Sequence, residues 1–545
     1  MIIALAQLNF HIGNFDQNTT KIIRAIEEAD NKGADLIVFP ELAVSGYPPR
    51  DFLEFDDFID QCEKALHDIA KHCNNTAAII GAPVKNTAAK GKRLYNTACF
   101  LSDGGIKKII KKALLPTYDI FDEYRYFEPG QDFSVIEYQG SKLAVTICED
   151  LWGLGDNPMY AINPMDKLID RHPDMIINIA ASPFDYTRQR KRREILRANA
   201  QKYSLPVVYV NHTGAQTELI FDGGSMVVDQ NGAVQQQLPF FEEKTELFNT
   251  VDKTPQTFSQ KKPAPPKMEI LLQALVLGVE DYFRKSGFKK AILGLSGGID
   301  SALTLVLATK ALGPRNVMSL IMPSRFSSDH SVNDAVELAN TLGSPFEIIS
   351  IENIYQAYEE SLKPHFQNLP FNTAEENIQA RARAVLLMAF SNKFGHILLN
   401  TSNKSEAAVG YGTLYGDMCG GLSVTGDLYK TELYELAGYI NNKETLIPQN
   451  IINKPPSAEL RAEQKDTDSL PAYPVLDEIL VRYIEQQQSP GDIIAAGYDK
   501  KLVKKILRMV NSSEHKRFQA PPVLRISPRA FGMGRRMPIV GKYLI

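Results

Sequence analysis

Residues 293–302 read LGLSGGIDSA: an apolar run, two glycines, an acid, and then a stretch, IDSALTLVLATKAL, with helical spacing. Ser296, Gly297 and Gly298 therefore fall where a strand turns into a helix N-terminus. The first N–H groups of a helix have no partner within it, and the macrodipole there favours an anion. With glycine keeping side-chain bulk away, a phosphate chain can lie against such a turn. A turn that merely packs a helix can carry the same glycines, so the glycines alone decide nothing. No lysine follows the second glycine, unlike the loop Gly-x-x-x-x-Gly-Lys-[Ser/Thr]. Asp300 stands nearby instead and can hold Mg2+ against the phosphates. Retaining the outer two phosphates as a leaving pyrophosphate suits attack at the α-phosphorus, which gives an adenylated intermediate.

A second constellation lies upstream. FPELAVSGYPPRD puts Glu41 directly after the strand-like DLIVF, KKALLPTYDIFDEYRYF offers Lys111 and Lys112, and KLAVTICEDLW ends a strand at Cys148. Acid, base and thiol at strand ends make a plausible nucleophilic site. The glutamate can take the thiol proton, a lysine can stabilise the thiolate and the oxyanion of a tetrahedral intermediate, and the cysteine can carry an acyl thioester. The other cysteines (Cys62, Cys73, Cys99 and Cys419) form no Cys-x-x-Cys pair, so neither a disulfide framework nor a zinc site is expected.

These residues need elements to hold them. The first 250 residues alternate β-rich runs (IIALAQL, DLIVF, KLAVTIC, DMIINIA, PVVYVN) with helical ones such as NTTKIIRAIEEADNKGA, which predicts an α/β unit. Within residues 251–267, the stretch KTPQTFSQKKPAPPK is rich in proline and lysine and poor in large apolar groups, as a linker is. Residues 268–545 open on the amphipathic MEILLQALVLGVEDYFRKSG. They then alternate KAILGLS, NVMSLIM, FEIISI and HILLNTS with helical stretches, which predicts a doubly wound parallel sheet.

Ser-Gly-Gly-Ile-Asp-Ser resembles the pyrophosphate loop of the ATP pyrophosphatases, a family that activates a carboxylate or carbonyl as its AMP derivative. Within it, MPSRFSS (322–328), ENIQARAR (376–383), TSNKSE (401–406), YGTLYGD (411–417), DLYKTELYELA (427–437) and KPPSAELR (454–461) follow the order of the NAD synthetases. Taken singly, Glu406 reads as a helix-capping acid, Lys404 as a solvated charge and Asn377 as a surface helix residue; the ordered set is what carries the resemblance. It implies a Rossmann-like fold of the adenine nucleotide alpha hydrolase type. ATP would be bound by Gly294, Leu295, Ser296, Gly297, Gly298, Ile299, Asp300, Ser301 and Thr401. Deamido-NAD would be bound by Asn377, Glu406 and Lys516, and Mg2+ by Asp300 and Glu406.

The Glu-Lys-Cys order over about 250 residues resembles the nitrilase superfamily, which implies an α-β-β-α sandwich. The spacing Lys-x-x-Leu-Pro in that family selects Lys112 over Lys111. The same resemblance implies that Tyr118, Ser182 and Arg188 bind glutamine. Relatives usually carry lysine at position 188, and the run RQRKRR (188–193) reads mostly as a solvated helix face. The two halves together resemble the glutamine-dependent NAD+ synthetases, with a glutaminase over 1–250 and a synthetase over 268–545. A GMP synthetase would pair this loop with an unrelated glutaminase, and a degenerate nucleotide-binding regulator would have lost Glu41, Lys112, Cys148 or Asp300.

The chain has 545 residues, 60 basic against 64 acidic side chains and 44% hydrophobic residues, so nothing favours a polyanion partner and no nucleic-acid role is expected. MIIALAQLNF lacks a signal-peptide pattern and no uncharged apolar run reaches membrane-spanning length, which predicts a cytoplasmic protein with no membrane partner. The resemblance to the family implies ATP, deamido-NAD and glutamine as small-molecule partners and a homo-oligomer, at least a dimer.

Overall fold

A computed structural model describes residues 1–154, 159–251, 265–367 and 369–543. The contacts divide the chain into Met1–Ala264 and Pro265–Ile545. Residues 252–264, most of the stretch read as a linker, lie outside the described residues.

The first unit is built on two six-stranded sheets. One centres on the strands Ile2–Gln7, Leu36–Val38 and Ala77–Lys85, and the other on Ser141–Ile147, Met175–Ala180 and Val207–Asn211. Side chains alternate across a strand, and the first strand shows what that does. Ile3 and Leu5 point into a buried layer shared with Val145, Ile177 and Val208 of the other sheet. Ala4 and Ala6 face the opposite way, against Ile22 and Ile26 of the helix Phe15–Asn31 and Ile59 and Leu66 of Asp56–Ala70. The helix Arg188–Tyr203 covers the outer face of the second sheet through Leu196 and Ala200. The layers therefore run helix, sheet, sheet, helix, the expected α-β-β-α sandwich.

The second unit carries a five-stranded parallel sheet. Its order is Phe346–Ile348, Val317–Ile321, Ala291–Gly294, Ile397–Asn400, Leu422–Ser423. The order reverses between Ala291–Gly294 and Ile397–Asn400, whose outgoing chains diverge and leave a crevice beyond the carboxyl ends. The helix Ile299–Leu312 leaves the first of these strands, and Thr373–Phe394 seals one sheet face through Leu387 against Ile292, Leu320 and Leu398. Helices thus lie on both faces, as doubly wound topology requires. Among the described residues, no helix is long and apolar enough to cross a membrane.

Candidate functional site

In the first unit, Glu41, Lys112 and Cys148 each sit just past the end of a strand: Leu36–Val38, Gly105–Lys111 and Ser141–Ile147 respectively. Strand alternation separates the two candidate lysines. Lys111 lies over the ring of Tyr95 with its Nζ 4.1 Å from the centroid, while Lys112 turns inward with a fully buried side chain. Its Nζ donates to Glu41 Oε1 at 2.6 Å and to Glu123 Oε1 and Oε2 at 2.8 and 2.7 Å, using all three ammonium protons. Asn96 Nδ2 donates to the same two carboxylates at 2.7 and 3.3 Å, and the Tyr47 hydroxyl donates to Glu123 at 3.0 Å. The backbone N–H of Ala181 donates to the other oxygen of Glu41 at 3.1 Å.

Cys148 has a left-handed φ of 43°, a costly conformation for a side-chain-bearing residue and one that sets it at a sharp strand-to-helical-turn elbow. Asp150 fixes the elbow by accepting from the backbone N–H groups of Ile147, Ala113 and Leu114 at 3.0, 3.1 and 2.9 Å, which ties the cysteine strand to the segment after Lys112. Burial, and next the Glu41 charge, hold the Cys148 thiol well above its ordinary pKa, with Lys112 opposing. The thiol is therefore protonated before substrate arrives and needs a base to activate it. Burial pulls Lys112 down, but Glu123 and Glu41 more than offset this and keep it cationic. Burial, against Lys112, also pushes Glu123 up to about 7.

Beside the thiol, the Tyr118 hydroxyl donates to both oxygens of Glu149 at 3.0 Å, and Tyr160 donates to one of them at 3.1 Å. Arg188 stacks 5.0 Å from the Trp152 ring and pairs loosely with Asp185 at 3.5 Å. Its charge acts on both Tyr118 and Glu149. Ser182 is buried at the end of the neighbouring strand. The structure thus gathers Tyr118, Arg188 and Glu149 near Cys148, with cation and carboxylate both available. The rest of RQRKRR divides: Arg190 is solvated, whereas Arg192 is buried and pairs with Asp222 at 2.8 Å.

In the second unit, Gly298 caps the helix Ile299–Leu312 at the end of the strand Ala291–Gly294. The turn is locked by Ser301 Oγ, which accepts from the N–H of Ser296 at 3.2 Å and donates to Gly298 O at 3.1 Å. Gly297 has φ +74°, and a Cβ there would lie 2.2 Å from Ser331 O, so glycine is required by conformation and by space. A cavity of about 260 Å³ opens at the switch point, lined by Gly294, Leu295, Ser296, Asp300, Ser301, Thr401 and Glu406 on its polar side and by Leu320, Met322, Leu387 and Leu398 on its apolar side. Gly297, Gly298 and Ile299 belong to the same turn but not to the cavity lining. Nor do Asn377 and Lys516. They converge on the loop after Gly410 instead: Asn377 accepts from Thr413 Oγ1 at 2.6 Å, and Lys516 donates to Gly410 O and Gly412 O at 2.8 and 2.7 Å.

Asp300 Oδ2 accepts from Lys430 at 2.6 Å and Oδ1 from Asn403 at 2.7 Å, while Lys430 also pairs with Glu406 at 3.3 Å. Burial drives Glu406 upward; Lys430 opposes, Asp300 and Asp466 add to the rise, and the carboxyl reaches about 8. One lysine therefore leaves this acidic cluster short of positive charge. Among the described residues there is no group of three or more His, Cys, Asp or Glu placed to hold a metal. Mg2+ that keeps its waters and substrate phosphates needs only one or two carboxylates, so Asp300 and Glu406 fit an ion that arrives with a nucleotide.

Lys404 is not the solvated charge its sequence neighbourhood suggests. It is fully buried against Asp427 and Glu485 at 2.9 and 2.7 Å, which anchors the helix Lys404–Val409 that carries Glu406. Two arginines near the C-terminus are likewise internal, since Arg517 and Arg535 both meet Glu514 at 2.7 Å.

The profile of the carbon-nitrogen hydrolase family matches residues 2–253, and that of NAD synthase matches residues 271–520. The glutamine-dependent NAD(+) synthetase of Synechocystis sp. is 46% identical over 98% of this chain and 98% of its own length. The chain belongs to the glutamine-dependent NAD(+) synthetase family. The enzyme of that name from Acinetobacter baylyi is 43% identical over 99% of this chain and 98% of its own. The solved structure of the Acinetobacter baumannii glutamine-dependent NAD+ synthetase, in complex with ADP, is 41% identical, covers 99% of both chains and superposes with a TM-score of 0.78. A Cytophaga hutchinsonii glutamine-dependent NAD(+) synthetase structure, at 21% identity over 99% of this chain and 98% of its own, has a TM-score of 0.83 and shares the fold. As a member of this family the chain is an enzyme, a ligase.

Sequence reasoning missed Glu123, Asn96, Glu149 and Lys430. Glu123 sits among other acids in FDEYRYF, and no spacing rule distinguishes it from Asp122. Glu149 follows Cys148 directly, so adjacency was a usable signal. Lys430 lies inside DLYKTELYELA, and its role depends on meeting two carboxylates brought from elsewhere in the chain.

Proposed function

We propose that this chain converts deamido-NAD to NAD+ with ATP, taking nitrogen from glutamine. In the first unit Cys148 attacks the glutamine carboxamide, and Glu41 takes the thiol proton and returns it to the departing ammonia. Lys112 balances the negative charge of the tetrahedral intermediate. Water then enters with Glu41 again as base and frees glutamate from the thioester. The Lys112–Glu41 contact supports these assignments, because a cation fixed by two carboxylates does not have to reorganise as charge develops. Arg188 and Glu149 suit the α-carboxylate and α-ammonium of an amino acid, with Tyr118 and Ser182 completing the pocket.

In the second unit the apolar side of the cavity suits the adenine of ATP and the glycine turn suits its phosphates. Thr401, which lines the same cavity, would contact the nucleotide. The nicotinate carboxylate attacks the α-phosphorus, pyrophosphate departs along residues 296–301, and ammonia displaces AMP. Mg2+ held by Asp300 and Glu406 would neutralise phosphate charge. Asn377 and Lys516 bind the dinucleotide beside the loop after Gly410. The enzyme works in the cytoplasm as a homo-oligomer, at least a dimer. Exposed apolar side chains on two helices, Tyr358, Val385, Met388 and Phe394, support the assembly.

The observation that carries the reading is the joining, in one chain, of a Cys–Glu–Lys site with a phosphate turn at a sheet switch point. Ammonia is mostly protonated in neutral water and then no longer a nucleophile, so a tethered source serves a tethered consumer. Replacing Cys148 by alanine should abolish glutamine-dependent NAD+ formation while synthesis from ammonium salts survives. Equal loss of both would show that Cys148 is not the glutaminase nucleophile.

A further inference from the structure

Ser182 and Arg188, proposed above to bind glutamine, sit on different elements, one at the end of the strand Met175–Ala180 and the other at the start of the helix Arg188–Tyr203. A buried chain of hydrogen bonds runs from Ser182 to Arg192, on the helix that begins at Arg188. Asn211 clamps the backbone of Ser182 from both sides: its Oδ1 accepts from Ser182 N–H at 2.9 Å and its Nδ2 donates to Ser182 O at 3.3 Å. The same Nδ2 donates to Gly223 O at 3.0 Å. Arg192 Nη1 donates to that carbonyl at 3.1 Å, and Arg192 Nη2 to Asp222 Oδ1 at 2.8 Å. Arg192 lies one helical turn beyond Arg188, on the face that also buries Leu196 and Ala200.

Only glycine fits at the hub of this chain: Gly223 has φ +64°, a Cβ there would lie 2.4 Å from the amide of Gln7, and its N–H is tethered to His212 O at 3.1 Å. Arg192, Asp222 and Asn211 are each no more than 1% exposed. The guanidinium also stacks on the Tyr209 ring at 5.6 Å from the centroid. Burying an arginine this deeply is costly unless its charge is matched, and here the planar guanidinium holds the carbonyl through Nη1 and the carboxylate through Nη2, a fixed separation that a single ammonium nitrogen lacks.

We propose that Arg192, with Asp222 and Asn211, is a positioning residue for glutamine selection, setting the distance between Ser182 and the helix end that carries Arg188. Arg192 touches no substrate. It acts by holding two substrate-facing groups in register, and small misplacements of such groups are expensive. This rests on the proposed glutamine site, and the test separates the two.

The test compares Arg192→Lys, Asp222→Asn and Arg188→Ala with the parent enzyme. Arg192→Lys keeps the charge and loses the fork. It should raise the KM for glutamine about tenfold to a hundredfold, with kcat changed far less and ammonium-dependent synthesis unchanged. Asp222→Asn should act in the same direction. Inactivation of Cys148 by a diazoketone analogue of glutamine should slow in proportion to KM, whereas alkylation by iodoacetamide, which carries no amino-acid groups, should stay within about twofold of the parent. Equal slowing with both reagents would mean general loss of structure and would overturn the proposal. An unchanged KM in Arg192→Lys beside a raised KM in Arg188→Ala would overturn the positioning role alone. An unchanged KM in Arg188→Ala would overturn the glutamine-site reading on which it rests.

Discussion

Replacing Lys112 by methionine keeps most of the side-chain volume and removes the one cation between Glu41 and Glu123. Both partners lose charge-assisted hydrogen bonds of 2.6–2.8 Å, and the side chains are 0% and 6% exposed, so water cannot stand in for the ammonium. Only Asn96 Nδ2 would remain shared between the carboxylates. Breaking a buried ion pair from one side costs roughly 3–5 kcal/mol, because a charge is left without compensation. The variant should lose about that much stability at neutral pH.

The chain contains one tryptophan, Trp152, four residues beyond Cys148, so urea unfolding followed by tryptophan fluorescence reports on the unit that carries the substitution. The pH dependence has a definite sign. Burial, against the pull of Lys112, already lifts Glu123 from 4.5 to about 7, and removing Lys112 takes away the opposing charge and lifts it further. A carboxyl with a folded pKa above its unfolded value binds more protons when folded. Its stability contribution is full below the unfolded pKa of 4.5 and lost as pH rises through the folded one. The deficit of Lys112→Met relative to the parent should therefore shrink towards pH 5 and grow above pH 7. Adding Glu123→Gln should recover at least about 1 kcal/mol, since the two sites share one contact. A deficit under about 1 kcal/mol that does not vary with pH would refute the claim that Lys112 balances two buried carboxylates.

Two further outcomes follow from the second unit. Gly297→Ala forces a left-handed alanine whose Cβ meets only backbone atoms of Ser331, at roughly 1–3 kcal/mol of strain, so the phosphate turn must shift. The KM for ATP should rise at least about tenfold while glutaminase turnover is unchanged; an unaltered KM would remove the turn from the nucleotide site. Placing aspartates at the exposed Val385 and Phe394 should lower the mass measured by light scattering if the helix Thr373–Phe394 joins subunits, and an unchanged mass would exclude this face from the assembly.

How much of this was legible before folding depends on range along the chain. Strand periodicity and the glycine turn are local signals, set by backbone conformation over a few residues. They were enough to predict an α/β first unit, the doubly wound sheet of the second, the helix start at Ile299 and the strand-end positions of Glu41 and Cys148, whereas the sandwich layering and the choice of Lys112 came from the resemblance to the nitrilase superfamily. Which charges meet was not local. Lys112 and Glu41 are 71 residues apart, Asn96 and Glu41 are 55 apart, and Lys430 and Asp300 are 130 apart. Their contacts exist because the fold brings separate strands and helix starts to one place. Lys404 and Arg192 make the same point from the other side. Each sits in a polar run that reads as solvent-exposed, yet each is drawn inside by a carboxylate from a distant segment: Asp427 for Lys404, Asp222 for Arg192. The sequence determined the elements and the chemistry available at their ends. Only the tertiary structure decided which carboxylate answers which cation, because a buried charge is tolerable only where topology supplies its partner.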